Sequence, residues 1–304
     1  MQFIYYPLFA LMYTISLLPF KVMYALSDYL LYPLVYHVVR YRRALVRRQL
    51  AECFPERSEA ERHDIEHRFY HYFCDYIVET IKMMSISSDE MRRRMEIVGL
   101  SEAEDTTEAC GKMFAFGYLG HYCNWEWLSS FSLYLTRFTA GQIYHPLRSE
   151  AFDKLFLHMR ERQGAKCIAM KETLRHILHA RRDGRKIFIG FIADQSPKWE
   201  AMHQWCEFLH HETSFFIGTE KIGKQVDAVI YYIDLSRPRR GYYRAEFKLI
   251  TTEPKSTPDY ELTDRYAQLL EQSIQREPHL WLWTHNRWKR TRQEWLRRQA
   301  EATK

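Results

Sequence analysis

From Lys112 onward, short apolar segments alternate with longer segments in which apolar residues recur every three or four positions. Short apolar segments are typical of buried strands, and a spacing of three and four is typical of helices with one buried face. We predict strands at Met113–Leu119, Thr139–Tyr144, Ala165–Ala169, Ile187–Ala193, Ala228–Leu235 and Tyr242–Ile250. We predict helices at Asn124–Leu135, Ser149–Arg162, Lys171–Arg182, Ser214–Ile222 and Asp259–Glu277. The alternation predicts an α/β core within residues 110–295, in which helices flank a mixed sheet.

Two apolar stretches precede this core. Residues 3–20 contain no charge, and Val22–Val39 is interrupted only by Asp28 and His37. A helix that spans a bilayer needs about 20 mostly apolar residues, and the arginines at 40–48 are typical of a cytoplasmic flank. We therefore predict that residues 1–40 form an N-terminal membrane anchor or helices that lie in the interface. The alternative is an apolar helical hairpin packed on the rest of the protein.

Residues 41–98 have the pattern of a helical layer. Ser58 precedes an acidic first turn, as a helix-capping residue does, and Ile65–Met84 carries its apolar residues on one face. A short basic helix containing Arg92–Arg94 follows. We predict that residues 41–304 form one domain, in which residues 41–98 cover one side of the sheet.

Composition limits the classes of binding partner that we expect for this protein. The 304 residues include 44 Lys and Arg against 38 Asp and Glu, and this positive balance favours anionic lipid headgroups or an acidic protein partner. Nucleic acid is not expected, because no zinc-finger spacing or RNA-binding signature is present. The six cysteines form no CxxC pair, which favours reduced thiols in a cytoplasmic setting. His203, His210 and His211 lack a cysteine or carboxylate at tight spacing, so we expect no metal.

The segment Gly120–Glu126 lies between a predicted strand and a predicted helix and carries the clearest candidate for chemistry. Loops at the carboxyl ends of strands in α/β sheets often hold ligands and catalytic groups. A carboxylate such as Glu126 can hold His121 in one tautomer, so that the imidazole removes a proton from a hydroxyl. Asn124 and the amide groups that follow it are candidates for binding an oxyanion or phosphate. Cys123 is an alternative nucleophile, but we favour a packing role for it.

Polar residues also follow other predicted strands. Arg148 lies just beyond Thr139–Tyr144, where a guanidinium can bind a phosphate or carboxylate. Asp194 and Gln195 follow Ile187–Ala193, where the aspartate either binds a sugar hydroxyl, orients a basic residue or only caps a turn. The aromatic and basic tail, residues 283–295, either lies at a membrane interface or packs its tryptophans on the core, and both can hold at once.

The order Gly120-His121, then Asn124-Trp125-Glu126, looks like the HxxNWE form of the H-x4-D/E motif of membrane acyltransferases. The chain resembles in particular the lipid A biosynthesis (late) acyltransferases, which add a secondary acyl chain to lipopolysaccharide precursors. The resemblance extends to Tyr41-Arg42-Arg43, Phe54-Pro55, Tyr144-His145-Pro146-Leu147-Arg148, Ala193-Asp194-Gln195 and the tail from Trp281 to Lys289. One departure is that His145 stands where the family usually carries an arginine, so either His145 or Arg148 supplies that contact.

The resemblance implies a single glycerolipid-acyltransferase-like domain that acts as an O-acyltransferase. It implies transfer of a fatty acyl chain from an acyl carrier protein thioester, or from acyl-CoA, to a hydroxyl of a lipid A precursor. His121 would be the general base, Glu126 its partner, and the substrate-binding residues would be Asn124, His145, Arg148, Asp194 and Gln195. No cofactor or metal is implied, and the site would lie at the cytoplasmic face of a bacterial inner membrane, in contact with membrane lipids. Two alternatives are a lysophospholipid or aminolipid acceptor, and a non-catalytic membrane-associated scaffold.

Overall fold

A seven-stranded sheet forms the centre of the protein in a computed structural model that describes residues 2–302. Its strands are β1 (Met95–Val98), β2 (Phe114–Leu119), β3 (Thr139–Tyr144), β4 (Lys166–Ala169), β5 (Ile187–Ile192), β8 (Val229–Arg239) and β9 (Tyr242–Thr251). Their order is β1-β9-β8-β2-β5-β3-β4, and every neighbouring pair is parallel except the antiparallel hairpin β8–β9. A separate antiparallel hairpin joins β6 (Cys206–Phe208) to β7 (His211–Thr213). The fold is therefore a mixed α/β layered structure with a mostly parallel sheet, as predicted.

The described residues also contain eleven α-helices. They are α1 (Gln2–Ser16), α2 (Phe20–Leu26), α3 (Arg43–Cys53), α4 (Glu59–Lys82), α5 (Ser88–Arg94), α6 (Leu100–Ala109), α7 (Glu150–Glu161), α8 (Thr173–Arg182), α9 (Gly218–Val226), α10 (Glu261–Arg276) and α11 (Arg292–Ala302). The long helix α4 begins with a capping box, in which Ser58 accepts from the Glu61 amide and the Glu61 carboxylate accepts from the Ser58 amide. The predicted capping role of Ser58 is thus confirmed.

All six predicted strands are present, with ends that differ by a few residues at most. The sequence pattern missed β1, which lies at the end of the range predicted to be helical, and the short hairpin β6–β7. Both consist of three- or four-residue strands, too short to show a clear period in sequence.

The prediction of a helix at Asn124–Leu135 is wrong. Cys123 has a left-handed backbone with φ of 56°, and the chain then forms a turn followed by the 3₁₀ helix Trp127–Leu133. The Asn124 Oδ1 accepts from the Trp127 amide at 3.1 Å, a bond of the kind that stabilises the start of a helical turn. The buried Nδ2 of Asn124 donates to Glu79 at 2.7 Å, and this contact ties the segment to α4.

The amino-terminal segment consists of α1, α2 and two π-helical stretches, Ser27–Leu31 and Pro33–Val38. Among the described residues no single helix is both long and apolar enough to cross a bilayer. The pair Tyr5–Ser16 and Phe20–Val38 meets that test by length and composition, with a bend of 112° between its halves. Several of its apolar side chains are exposed, among them Tyr6, Leu11, Leu17, Tyr29 and Val38. The segment also contacts α4 and α7, where the Phe9 ring meets the His158 ring at 5.2 Å.

Candidate active site

The two strands at the centre of the sheet bring His121 and Asp194 together. Strands β2 and β5 are parallel and pair in register from Phe114 with Ile187 to Leu119 with Ile192. His121 follows the end of β2 and Asp194 follows the end of β5, so both lie at the same carboxyl edge. This edge is where open α/β sheets place their ligands and reactive groups.

The Asp194 carboxylate binds His121 through two separate groups. His121 Nδ1 lies 2.6 Å from Oδ1, and the His121 backbone amide donates to Oδ2 at 2.9 Å. The indole Nε1 of Trp281 also donates to Oδ2, at 2.8 Å. Burial by itself raises the pKa of this carboxyl, but attraction to His121 and these hydrogen bonds outweigh it and lower the pKa to about 2. An ionised Asp194 holds the proton of His121 on Nδ1, which leaves Nε2 as the basic nitrogen.

Glu126 does not make the predicted pair with His121. Its carboxylate accepts from Arg160, with Nε to Oε2 at 2.7 Å and Nη2 to Oε1 at 2.5 Å. Tyr76 lies 3.5 Å from the same carboxylate. The turn at Cys123 directs Glu126 toward helix α7, so the partner that orients His121 in this structure is Asp194. Burial lowers the pKa of Arg160, but the charge and hydrogen bonds of Glu126 raise it by more, so Arg160 stays protonated.

A cavity of about 390 Å³ opens beside these groups. His121, Gln195 and His145 lie on its lining, together with the ion pair of Arg160 and Glu126. The rest of the lining is mostly apolar and comes from the sheet, the 3₁₀ helix and neighbouring loops: Leu119, Trp125, Leu128, Phe131, Ile143, Leu147, Met170, Ile192, Phe216 and Ile233. An apolar cavity with a few converging polar groups is the usual form of a site for a small or lipid ligand.

The family of this chain follows from comparison with known proteins. The model of the family described as bacterial lipid A biosynthesis acyltransferase matches residues 2–290, which is nearly the whole chain. The chain belongs to this family. A search of curated proteins found no match. The family assignment confirms the resemblance seen in sequence and makes the protein an acyltransferase of the lipid A type.

The segment that carries His121 in this acyltransferase is held by the tail of the chain. The Cys123 amide donates to the Leu280 carbonyl at 2.8 Å, and the Leu282 amide donates to the His121 carbonyl at 3.0 Å. Trp281 and Trp283 are 2% and 0% exposed. For these two tryptophans the packing interpretation of the tail is therefore correct, and Trp281 completes the site through its bond to Asp194.

The Asn124 side chain makes its contacts within the protein and does not line the cavity. Its side chain is fully buried, and its amide Nδ2 donates to Glu79 at 2.7 Å while Oδ1 accepts from the Trp127 amide. Glu79 also accepts from the hydroxyls of Tyr24 and Tyr243. Both ends of the Asn124 amide are thus bound within the protein.

The other predicted substrate-binding residues have different surroundings. Gln195 lines the cavity, and its Nε2 lies 3.3 Å from His121 Nε2. His145 is exposed at the rim, with Nδ1 2.9 Å from its neighbour's carbonyl, that of Pro146. Arg148 is exposed on the surface and is not part of the cavity lining. The binding roles of Gln195, His145 and Arg148 stay predictions.

Cys123 is unsuited to be a nucleophile. The side chain is 0% exposed, and burial raises the pKa of its thiol well above the usual range. A thiol must ionise and reach its substrate to attack. Neither condition holds here, which agrees with the packing role expected from sequence.

Sequence reasoning missed Arg160. The signal for it was a charge on the apolar side of an amphipathic helix, because Arg160 lies one turn after Phe156 and next to the fully buried Met159 in α7. A long cationic side chain in such a position needs an anionic partner. No group of three or more His, Cys, Asp or Glu residues within residues 2–302 is arranged to hold a metal ion.

Proposed function

We propose that this acyltransferase moves a fatty acyl chain from an acyl carrier protein thioester to a hydroxyl of a lipid A precursor, with His121 as general base. The observation that carries the proposal is the His121–Asp194 pair at the rim of an apolar cavity. A reaction between a hydroxyl and a thioester needs a base for the hydroxyl, charge stabilisation for the carbonyl oxygen, and an apolar site for the chain. The candidates are His121 for the base, Arg160 for charge stabilisation and the apolar cavity for the chain.

The proposed transfer begins when His121 Nε2 takes the proton of the acceptor hydroxyl. The hydroxyl oxygen forms a bond to the thioester carbonyl carbon, and the carbonyl electrons move onto its oxygen. The carbon–sulfur bond then breaks, and the leaving thiolate takes the proton from the imidazolium. His121 returns to its neutral form, and Asp194 stays ionised throughout because its role is to stabilise the imidazolium.

Arg160 is our candidate for stabilising the negative charge on the carbonyl oxygen. Its Nε and Nη2 are used by Glu126, and within residues 2–302 its Nη1 has no hydrogen-bond partner. A guanidinium fixed by a carboxylate in a partly enclosed cavity is held in place before the reaction begins, which is the condition for effective charge stabilisation. Glu126 would thus act through Arg160.

The proposed location is the cytoplasmic face of a bacterial inner membrane. The apolar amino-terminal segment contacts α7, the helix that contributes Arg160 to the cavity. Its exposed tyrosine, leucine and valine side chains are suited to the interface of a bilayer. A lipid acceptor held in that bilayer would then reach the cavity from the side.

A cluster of cations is the candidate docking site for the acidic carrier protein. Arg290 donates to the Ser196 hydroxyl at 3.4 Å. Ser196 is two residues after Asp194, so this contact places Arg290 near the site. Burial, then the charges of Arg290 and Arg42, lower the pKa of Lys289. Within the described part of the chain none of these three cations forms an ion pair with a carboxylate. Uncompensated like charges that border a site favour an anionic partner.

The decisive experiment supplies the purified protein in detergent with acyl carrier protein thioester and a lipid A precursor, and measures the product by mass spectrometry. We expect the mass of one acyl chain to be added, and His121→Ala to lose this activity while it stays folded by circular dichroism. The matched control is His179→Ala, an exposed histidine on α8, which should keep full activity. Equal transfer by wild type and His121→Ala would refute the mechanism.

Parallel assays separate the alternatives. A lysophospholipid or an aminolipid replaces the acceptor in one series, and coenzyme A replaces the carrier in another. Faster transfer to a lysophospholipid than to the lipid A precursor would overturn the proposed acceptor. For the donor, Lys289→Glu should raise the KM for the carrier thioester without affecting a short pantetheine thioester, whereas Arg265→Glu on the exposed side of α10 should change neither.

A further inference from the structure

Two glycines are paired neighbours on the central strands, and they differ in the space that a Cβ atom would have. Gly117 of β2 pairs with Gly190 of β5. A Cβ atom on Gly117 would overlap the Ile233 side chain, so that glycine is needed for core packing. A Cβ atom on Gly190 would have only Leu119 Cδ2 at 3.8 Å and the Gly141 carbonyl at 4.0 Å as neighbours. Gly190 therefore faces open space, and that space is the cavity beside His121.

Gly190 lies part of the way along the cavity, between the reactive groups and its far end. Side chains alternate along a strand, so Ile192, Gly190 and Phe188 share one face of β5. Asp194 is four residues beyond Gly190, which at the rise of a strand is about 13 Å. On the other side of Gly190, the ring of Phe131, which lines the cavity, meets the ring of Phe188 at 5.9 Å. Phe131 thus lines the cavity on that side, and Phe188 packs against it from outside the lining.

We propose that Gly190 sets the length of the acyl chain that the enzyme transfers, with Phe131 as the end wall. This inference rests on the proposed function. The thioester carbonyl lies at His121, and the saturated chain runs along the face of β5, over Gly190, to Phe131. The missing side chain at position 190 is what allows the chain to pass.

The physical reason is the volume in front of residue 190. A methyl group there occupies the path of the chain without displacing protein atoms, because its nearest neighbours would be at van der Waals distance. Each methylene that no longer fits in the apolar cavity costs about fourfold in affinity. A chain that reaches beyond residue 190 is therefore disfavoured by every methylene past the obstruction, whereas a chain that ends before it is unaffected.

The experiment is a competition among donors. Wild type, Gly190→Ala and Gly190→Val each receive an equimolar mixture of carrier thioesters with saturated chains of increasing even length, and the products are resolved by mass spectrometry. We expect the preferred chain to become shorter from wild type to alanine to valine, because the loss of rate grows with the length of the donor chain. In Phe131→Leu the preferred chain should become longer. Gly218→Ala, whose Cβ has no heavy atom within 4 Å, is the control and should keep the wild-type profile.

The outcomes separate this inference from the function on which it rests. If wild type transfers no chain from any donor, the proposed function is refuted. If wild type is active and both Gly190 variants keep its chain-length profile, the role of Gly190 is refuted and the function stands. Should Gly190→Val unfold, as judged by its melting temperature, the smaller Gly190→Ala variant decides. A uniform loss of rate for all chain lengths in that variant would also overturn the inference.

Discussion

Replacement of Asp194 by asparagine changes one oxygen into an amide at the group that orients His121. Three N–H groups converge on the native carboxylate: Nδ1 and the backbone amide of His121, and Nε1 of Trp281. Asparagine has a single acceptor oxygen, so it cannot serve all of them. If the asparagine oxygen takes the place of Oδ2, it accepts from the His121 backbone amide and from Trp281 Nε1. The asparagine NH₂ group then faces His121 Nδ1. The proton of His121 then moves to Nε2, and the base is lost.

The expected effect is large. The same replacement beside a catalytic histidine in serine proteases lowers kcat about 10⁴-fold because it stabilises the wrong tautomer. A similar change here corresponds to about 5 kcal/mol of lost transition-state stabilisation. The fold should survive, because the substitution keeps the shape of a side chain that is 2% exposed.

The assay is kcat/KM for acyl transfer, measured over a range of pH, in Asp194→Asn and in Glu126→Gln. We expect the first variant to lose about three to four orders of magnitude. Glu126→Gln should keep the pH dependence of kcat/KM that the wild type shows. It should lose activity only because glutamine binds Arg160 more weakly than the carboxylate does. Near-wild-type activity in Asp194→Asn, together with an altered pH profile in Glu126→Gln, would refute the reasoning and restore Glu126 as the partner of His121.

Three further predictions follow from the same contacts. Trp281→Phe removes one hydrogen bond from the ionised Asp194 and should cost about 1.5–3 kcal/mol in the free energy of unfolding, measured with urea. Gly120→Ala places a Cβ 2.6 Å from Leu270 Cδ1 and 3.3 Å from Asp194 Oδ2, and it should destabilise by about 1–3 kcal/mol and lower kcat/KM. Cys123→Ala should keep transfer activity, and loss of activity with the fold intact would contradict a packing role.

Acid should destabilise the protein through Asp194. The folded pKa, about 2, lies below the ordinary value of 3.8. The stability from the ionised carboxylate is therefore fully present above pH 3.8 and is lost as the pH falls toward 2. The shift corresponds to about 2 kcal/mol. Urea unfolding at pH 5 and at pH 2 should show a smaller difference in Asp194→Asn than in wild type, and equal differences would contradict the assigned pKa.

Much of the layered fold was determined by local sequence. The predicted strands at the centre of the sheet were recognisable because apolar residues occur together in a short segment. Of these, β2 is buried on both faces along its whole length and β5 over most of its length. The 3₁₀ geometry after Asn124 was not recognisable, because its apolar spacing is helical. Contacts with distant parts of the chain hold the backbone there, because Asn124 donates to Glu79, 45 residues away, and the Cys123 amide donates to the Leu280 carbonyl.

Local sequence is enough to place His121 at the end of a buried strand, in a motif shared with a family of acyltransferases. Local sequence does not show which carboxylate orients His121. Glu126 is five residues from His121 and Asp194 is 73 residues away, yet the parallel pairing of β2 with β5 brings the distant residue to 2.6 Å. Only the tertiary structure could decide this, since pairing between strands depends on contacts that no local pattern records. The turn that aims Glu126 at Arg160 depends in the same way on α7, and on the tail that holds Cys123 in place.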